Sequence, residues 1–507
     1  MRNYFILFLF AALTGAFGQY TEYSPDFSFI FQPVLQDSIH HSPNFYDFAG
    51  NPAGLFEDES AFSLWAGGHF FRETGPYRLI YQPEEISEQQ FSVRLVKPLT
   101  ERDIFKGYFG FQRQADYSMP WFHQSRMLGL NTLVLGDSTS GDFILNGIFW
   151  SGEWAHRFEK NLITAVSVYY NVDQRLKQVF PKPENRHRDI HAKLGIQYSW
   201  KEWKTGLVFL YFDEQEKVQL TRYNLDQDLT PVLYKFRFSD LPVVLFGKTS
   251  EERTIEYGGP LINFHIGKIL SRKNHLMGKV RYSWSDGKVT DGGSQPQPQG
   301  SFNRTDAEAS VMARFMVFRN THAGASYQYL TGKFNTEPPE FDLDAIEHSW
   351  LIHRAGIFLK QKLNGSFSLF GDILYENYHK KYLDRMTVNF YEFTRQRIFA
   401  SLGSNFSLSE RWEQKVWIGA GTYLVEDDQR TNNKYSSFFD GLFIRTFEYY
   451  TQQKTDLGAG LQLIYHYGPV FDIELAAEYR QNSAENFSPG NTRDNIFLLL
   501  MVKFFIL

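Results

Sequence analysis

Cysteine is absent from the 507-residue chain, which excludes a disulfide framework, a thiolate metal site and a cysteine nucleophile. Neither sign of charge predominates: 52 Lys and Arg stand against 57 Asp and Glu, so bulk charge indicates no nucleic-acid surface. Long apolar runs are missing as well. The longest, Tyr4–Leu13 and Ile496–Leu507 (the latter broken by Lys503), fall short of the roughly 18–20 residues a spanning helix needs. A mean hydropathy of −0.38 likewise excludes a polytopic helical membrane protein. No Pro/Gly/Ser-rich linker and no shift of composition divides Ser60 from Leu507, although the length would suit three soluble domains. What the chain has in quantity is aromatic side chains: 49 Phe, 29 Tyr and 10 Trp.

The first residues read as an export signal. Arg2 supplies a positive start, Tyr4–Leu13 the apolar stretch, and Ala16-Phe17-Gly18 a small-x-small cleavage site, so residues 1–18 are expected to be removed before Gln19. No cysteine follows that site, which excludes a lipoprotein.

From about residue 60 onward the sequence alternates with period two. In Val470–Arg480 one face carries Phe471, Ile473, Leu475, Ala477 and Tyr479, and the other Asp472, Glu474, Ala476, Glu478 and Arg480. Asp189–Trp200 and Gly365–Glu376 behave alike, so these segments are strands with one apolar and one polar face. A soluble sandwich would pack the apolar faces together. An outer-membrane barrel would turn them to lipid and line its lumen with the polar ones. Many segments run 11–17 residues, long for a sandwich strand and suited to a tilted membrane crossing. Aromatics gather at segment ends, as in Tyr198/Trp200, Tyr282/Trp284, Tyr423, Tyr465/Tyr467 and Tyr479, where interfacial girdles belong.

Connection lengths decide between the two. Short links (Phe158–Asn161, Lys201–Lys204, Ser271–Asn274, Leu363–Gly365, Ser409–Trp412) alternate with long polar ones (Asp173–Arg188, Asp213–Arg253, Asp286–Asn303, Glu426–Tyr450). A sandwich has no reason to sort its loops onto two ends. The expectation is an all-β fold: residues 60–507 form a transmembrane antiparallel β-barrel in the cell outer membrane. It would have about 18 strands, within a range of 14–18, with short periplasmic turns and long external loops. Its partners would be outer-membrane lipid, the outer-membrane assembly machinery and, in one reading, another outer-membrane protein. The last segment, Asn495–Leu507, resembles the C-terminal strand by which such barrels are recognised for assembly, although it ends on Ile506-Leu507 and not on Phe or Trp.

Residues 19–59 precede the first strand and are too few for the folded plug of the large 22-stranded transporters. They would line or plug the periplasmic mouth. Within them, Ala49-Gly50-Asn51-Pro52-Ala53-Gly54-Leu55 combines an Asn-Pro turn with small residues that permit close backbone packing. This element resembles the Asn-Pro-Ala motif of the FadL-type long-chain fatty acid transporters and of related barrels in Bacteroidota secretion systems. The resemblance implies that Asn51, Pro52, Ala53 and Gly54 belong to a hatch inside a fourteen-stranded barrel, with apolar ligands leaving sideways into the membrane. Size, aromatic content and layout also resemble Bacteroidota outer-membrane barrel families with no assigned activity.

The polar strand faces nominate Lys193, Lys279, Arg281, Arg314, Asp472, Glu474, Glu478 and Arg480 as lumen residues, which would either select solutes by charge or neutralise one another. Catalytic readings fail. His187-Arg188-Asp189 resembles a kinase catalytic loop but has Leu194 where Asn is needed, and no Gly-x-Ser-x-Gly, His-Glu-x-x-His or Walker sequence occurs. His40-His41 makes a poor metal site, and Glu426-Asp427-Asp428 lacks calcium-loop spacing. No catalytic residue, metal or cofactor is therefore expected. The function expected is passage or binding of a small solute, an apolar one on the strength of the aromatic content. The alternative is a non-transporting accessory barrel of a larger outer-membrane or secretion complex, contacting it through Asp213–Arg253 and Glu426–Tyr450.

Overall fold

The computed structural model describes residues 48, 50–58 and 63–505, apart from 80, 123–134, 180–181, 221–232, 237–241, 246–250, 272–273, 340–342, 434–436, 469, 486 and 489. The expected signal peptide, His40-His41 and most of segment 19–59 lie outside the described residues. Twenty strands follow a short turn at Pro52–Asp58: β1 (Ser63–Thr74), β2 (Glu85–Pro98), β3 (Asp103–Phe122), β4 (Leu135–Arg157), β5 (Leu162–Lys177), β6 (Pro183–Trp200), β7 (Trp203–Leu220), β8 (Leu233–Phe236), β9 (Pro242–Leu245) and β10 (Glu251–Ser271). The second half comprises β11 (Asn274–Asp291), β12 (Gln297–Phe318), β13 (Thr321–Glu337), β14 (Ile346–Lys362), β15 (Phe367–Asp384), β16 (Asn389–Ser409), β17 (Trp412–Thr431), β18 (Lys454–Tyr467), β19 (Phe471–Ala484) and β20 (Thr492–Phe505), with helix α1 (Ser437–Thr451) between β17 and β18.

Eighteen of these strands close into one antiparallel barrel. β7 pairs directly with β10, leaving the β8–β9 hairpin outside the ring, and β1 pairs with β20 along its whole length, from Ser63 opposite Phe505 to Thr74 opposite Asp494. The eighteen segments anticipated from alternation are all present, and the ring closes at that number, not at the fourteen implied by the transporter resemblance. Short turns join strands at one end: the Phe158 N–H donates to the Leu162 carbonyl at 3.0 Å, and Lys201 (φ 54°) and Gly468 (φ 59°) supply the left-handed residues of two others.

The period-two pattern sorts the side chains. Val166, Leu194, Ile196, Phe209, Phe264, Ile357, Ile373, Leu402, Ile418, Leu475 and Leu498 all stand at least 39% exposed and face away from the lumen. Tyr198, Trp200, Tyr282 and Trp284 form part of the aromatic rim of that same surface. A closed barrel with an apolar outer face is an outer-membrane protein, since no exposed strand edge and no unsatisfied backbone is left to the hydrocarbon. On that face, at the seam of β18–β20 with β1 and β2, an apolar concavity of about 690 Å³ lined by Phe70, Phe91, Leu461, Leu475, Leu498 and Leu500 opens toward lipid.

Three features depart from the expectation. Most strands run further at the external end than alternation suggested: β6 begins at Pro183, not Asp189, so His187 lies within the wall and not at its mouth. The long links Asp213–Arg253 and Glu426–Tyr450 contain the β8–β9 hairpin and α1. Tyr423, grouped by sequence with the membrane girdle, points inward and is 3% exposed, because it pairs across the sheet with lumen-facing Arg397.

Candidate lumen and its two closures

At the periplasmic end the Asn-Pro element is seated against the inner wall. Asn51 caps the 3-10 turn Pro52–Gly54 by accepting from the Ala53 N–H at 3.0 Å, and proline at the first helical position fits because its missing N–H would be unbonded there. The Asn51 amide donates to the Ile196 carbonyl at 3.0 Å and lies 3.1 Å from His265 Nε2. Two glycines make room. A Cβ on Gly195 would sit 2.2 Å from Asn51 Oδ1, and one on Gly206 would sit 2.7 Å from Asn51 Nδ2. Ala53 and Leu55 are fully buried against Val96, Ile104, Ala155, Ile163 and Ala165, small or apolar residues of β2–β5. On the other flank Phe48 packs on Met277 and Met312, with the Lys279 ammonium 5.6 Å from its ring.

At mid-height the lumen wall is ionic. Along β11–β18 the side chains form a ladder. Glu308 accepts from Lys279 Nζ (2.9 Å) and Arg281 (3.0 Å), and Gln328 connects Glu308 (2.9 Å) to Arg354 (3.2 Å). Arg354 in turn binds Glu376 (2.6 Å), and Arg397 binds Asp456 (3.0 Å). Arg395, Arg397 and Lys454 lie 4.9, 5.2 and 4.4 Å from the Tyr423 ring, so its face supplies part of the counter-charge. On the opposite side, β3–β7, carboxylates predominate among the described residues: Asp116, Asp137, Glu153, Asp173, Asp189, Glu214 and Glu216 are buried, with His187 and His191 among them. Arg175 pairs with Asp116, and Lys177 with Asp137 at 2.8 Å.

The external end carries apolar packing. Phe443, Phe447 and Tyr450, spaced one helical turn apart on α1, pack on Tyr382, Tyr391 and Phe393 of β15 and β16. The same cluster extends around the mouth through Phe143, Ile255, Val289, Phe302, Phe334 and Trp350. Tyr77, in the β1–β2 loop, stacks on Tyr449 at 4.9 Å and donates its hydroxyl to the Tyr449 carbonyl at 2.9 Å. Burial pushes the Tyr77 hydroxyl well above the ordinary tyrosine range, keeping that donor protonated.

The sequence-nominated residues fall into this frame unequally. Lys279 and Arg281 join the ladder through Glu308. Asp472, Glu474, Glu478 and Arg480 share one inward face of β19, but in local pairs: Asp472 with His466 at 2.7 Å, Glu474 with Gln462 at 2.5 Å, and Glu478 with Arg480. Lys193 faces inward two positions from Gly195, and Arg314 lies low on β12 opposite His275. Missed by sequence reasoning are the partners Glu308, Arg354, Glu376, Arg397, Tyr423 and Asp456, and the carboxylate–histidine group of β5–β7. His187, Asp189 and His191, at i, i+2 and i+4 of one strand, were the signal for the latter.

A sequence family described as "Family of unknown function (DUF6850)" matches residues 52–504. Among curated proteins none matches. Solved structures to which the chain is similar include the ferric yersiniabactin uptake receptor of Yersinia pestis (TM-score 0.40, 7% identity, covering 88% of this chain and 80% of that one). Others are the siderophore receptor PiuA of Acinetobacter baumannii (TM-score 0.42, 7% identity, 88% and 82%) and the monoaromatic hydrocarbon channel CymD (TM-score 0.30, 10% identity, 91% and 94%).

Proposed function

The chain belongs to the DUF6850 family, and on the geometry of its lumen we propose that it is a gated barrel for a small solute. The solute is bound first at the external aromatic closure and passes by diffusion, with no chemical step. The observation that carries this reading is the packing of α1 at the mouth, through Phe443, Phe447 and Tyr450, onto the inner face of β15 and β16. A loop helix held by ring contacts is a closure that an apolar or aromatic solute can compete for, because the solute replaces one ring–ring contact with another. Below it, the paired charges of the wall disfavour an uncompensated ion and tolerate a neutral solute. Residues 19–59, anchored through Asn51 and Leu55, act as the hatch at the periplasmic end.

Planar-bilayer recording tests the proposal. The intact protein should conduct little, a chain lacking residues 437–451 should conduct steadily, and one lacking 19–59 should also gain conductance. A wide, steady conductance from the intact protein would sink the gate. If neither deletion opens a pore and another outer-membrane protein co-purifies in fixed ratio, the accessory-barrel reading replaces this one. That reading draws support from the β8–β9 hairpin and α1, which give the two largest loops defined surfaces.

A further inference from the structure

The carboxylate–histidine group on β5–β7 has the donors, spacing and support of a metal site. Asp189 and Glu214 stand directly opposite each other across the β6–β7 ladder, both facing inward and at most 3% exposed. Like charges in that relation repel, and the repulsion is large where water is excluded. His191 Nε2 approaches Asp189 Oδ1 at 2.8 Å, and one donor atom each from Asp189, His191 and Glu214 lies within 4.8 Å of the others, a spacing that one bound ion can bridge. A second imidazole reaches the group: His187 Nε2 is 3.4 Å from Glu214 Oε2.

The support behind His187 is the arrangement that metal-binding histidines use. Its other ring nitrogen, Nδ1, is 3.0 Å from Asp173 Oδ2, and Asp173 is itself fixed by the Asn171 amide at 3.0 Å. A carboxylate on the far nitrogen sets the tautomer so that the near one presents a lone pair. Independently, Asp173, 7% exposed, keeps its second oxygen buried without a hydrogen-bond partner.

We propose that Asp189, His191 and Glu214, with His187 as a fourth ligand, bind one divalent transition-metal ion in the lumen wall. Mixed imidazole and carboxylate donors without thiolate suit borderline ions such as Zn²⁺, Cu²⁺ or Ni²⁺, whereas Ca²⁺ and Mg²⁺ prefer oxygen alone. The ion neutralises the Asp189–Glu214 pair and clips β6 to β7 at mid-height. This inference does not depend on the gate: an accessory barrel would bind the ion equally well.

Full-length protein, purified in detergent and stripped with chelator, would be titrated calorimetrically with Zn²⁺, with Mg²⁺ as the hard-ion comparison. One Zn²⁺ per chain should bind with a dissociation constant in the micromolar range or tighter, undisturbed by millimolar Mg²⁺. His191→Ala and Glu214→Gln should each weaken binding at least tenfold, and Asp173→Asn, one layer back, roughly tenfold. His379→Ala, at a histidine on the outward face of β15, should change nothing. Heat-modifiable gel mobility separates folded variants from unfolded ones, and His191→Gln serves where the alanine variant does not fold. Absence of Zn²⁺ uptake by the intact protein, or uptake equal in the intact protein and both ligand variants, overturns the site.

Discussion

The two sides of the lumen wall handle buried charge differently. Along β11–β18 cations are in excess among the described residues, and two buried carboxylates are shared between them: Glu308 serves Lys279 and Arg281, while Glu376 binds Arg354 and pairs across the sheet with Arg397. Tyrosine faces take up what the carboxylates cannot. Along β3–β7 the excess is reversed. Two strong cations, Arg175 and Lys177, are committed to Asp116 and Asp137, and imidazoles stand beside Asp173, Asp189 and Glu214. The scarce sign on each side is therefore what holds that side together, because removing it leaves several like charges buried at once.

The largest expected effect follows from that asymmetry. Glu376→Gln strips the counter-charge from Arg354 and should cost about 3–5 kcal/mol, as breaking a buried pair does. Lys177→Met, on the other side, leaves Asp137 fully buried and should cost a similar amount, again about 3–5 kcal/mol. Arg281→Met removes a cation where cations abound, leaves Glu308 with Lys279, and should cost clearly less, about 1–2 kcal/mol. Urea unfolding of vesicle-inserted protein measures all three. Equal losses for Glu376→Gln and Arg281→Met would break the comparison.

A smaller effect concerns permeation. In the chain lacking residues 437–451, Arg395→Gln with Arg397→Gln should shift selectivity toward cations, and Glu153→Gln with Glu216→Gln toward anions. Each shift should be roughly twofold or more in permeability ratio. Reversal potentials in a salt gradient give the sign directly. Shifts of the same sign from both pairs would show that the two sides do not act separately.

The contrast between the sides was only half legible in the sequence. Alternation located all eighteen wall strands because the outer face must be apolar wherever lipid touches it, a demand repeated on every crossing. It also placed Lys279, Arg281, Asp472 and Glu478 on the lumen face. It could not say which strand lies beside which residue at what height, so Glu308, Arg354 and Glu376 remained unconnected. The strand extensions were missed for a physical reason: beyond the membrane both faces meet polar surroundings and the period-two contrast fades, as in Pro183–Arg188. Helix α1 was legible in principle. Phe443, Phe447 and Tyr450 fall at i, i+4 and i+7, a period of 3.6 hidden inside a segment taken for a polar loop. The grouping of His187, Asp189 and His191 was hidden differently: His187-Arg188-Asp189 reads as consecutive letters, whereas in a strand alternate residues share a face.

The smallest effect sharpens the comparison where the Asn-Pro element joins the carboxylate side. Gly195 and Gly206 are bare so that Asn51 can reach Ile196 and His265. Gly195→Ala places a methyl 2.2 Å from Asn51 Oδ1 and 3.0 Å from the Pro52 ring, yet touches no ladder hydrogen bond. The barrel's unfolding midpoint should therefore barely move. The seat alone should weaken, by about 1–2 kcal/mol, the worth of one or two hydrogen bonds. Asn51→Ala should weaken it comparably, and the double variant no further than either single one, since the methyl then meets no amide. Limited proteolysis after Gly54 reads the seat without reading the barrel. Additive losses would mean that Gly195 and Asn51 act through different contacts, and the seat of Asn51 on β6 would not be the one that the two glycines accommodate.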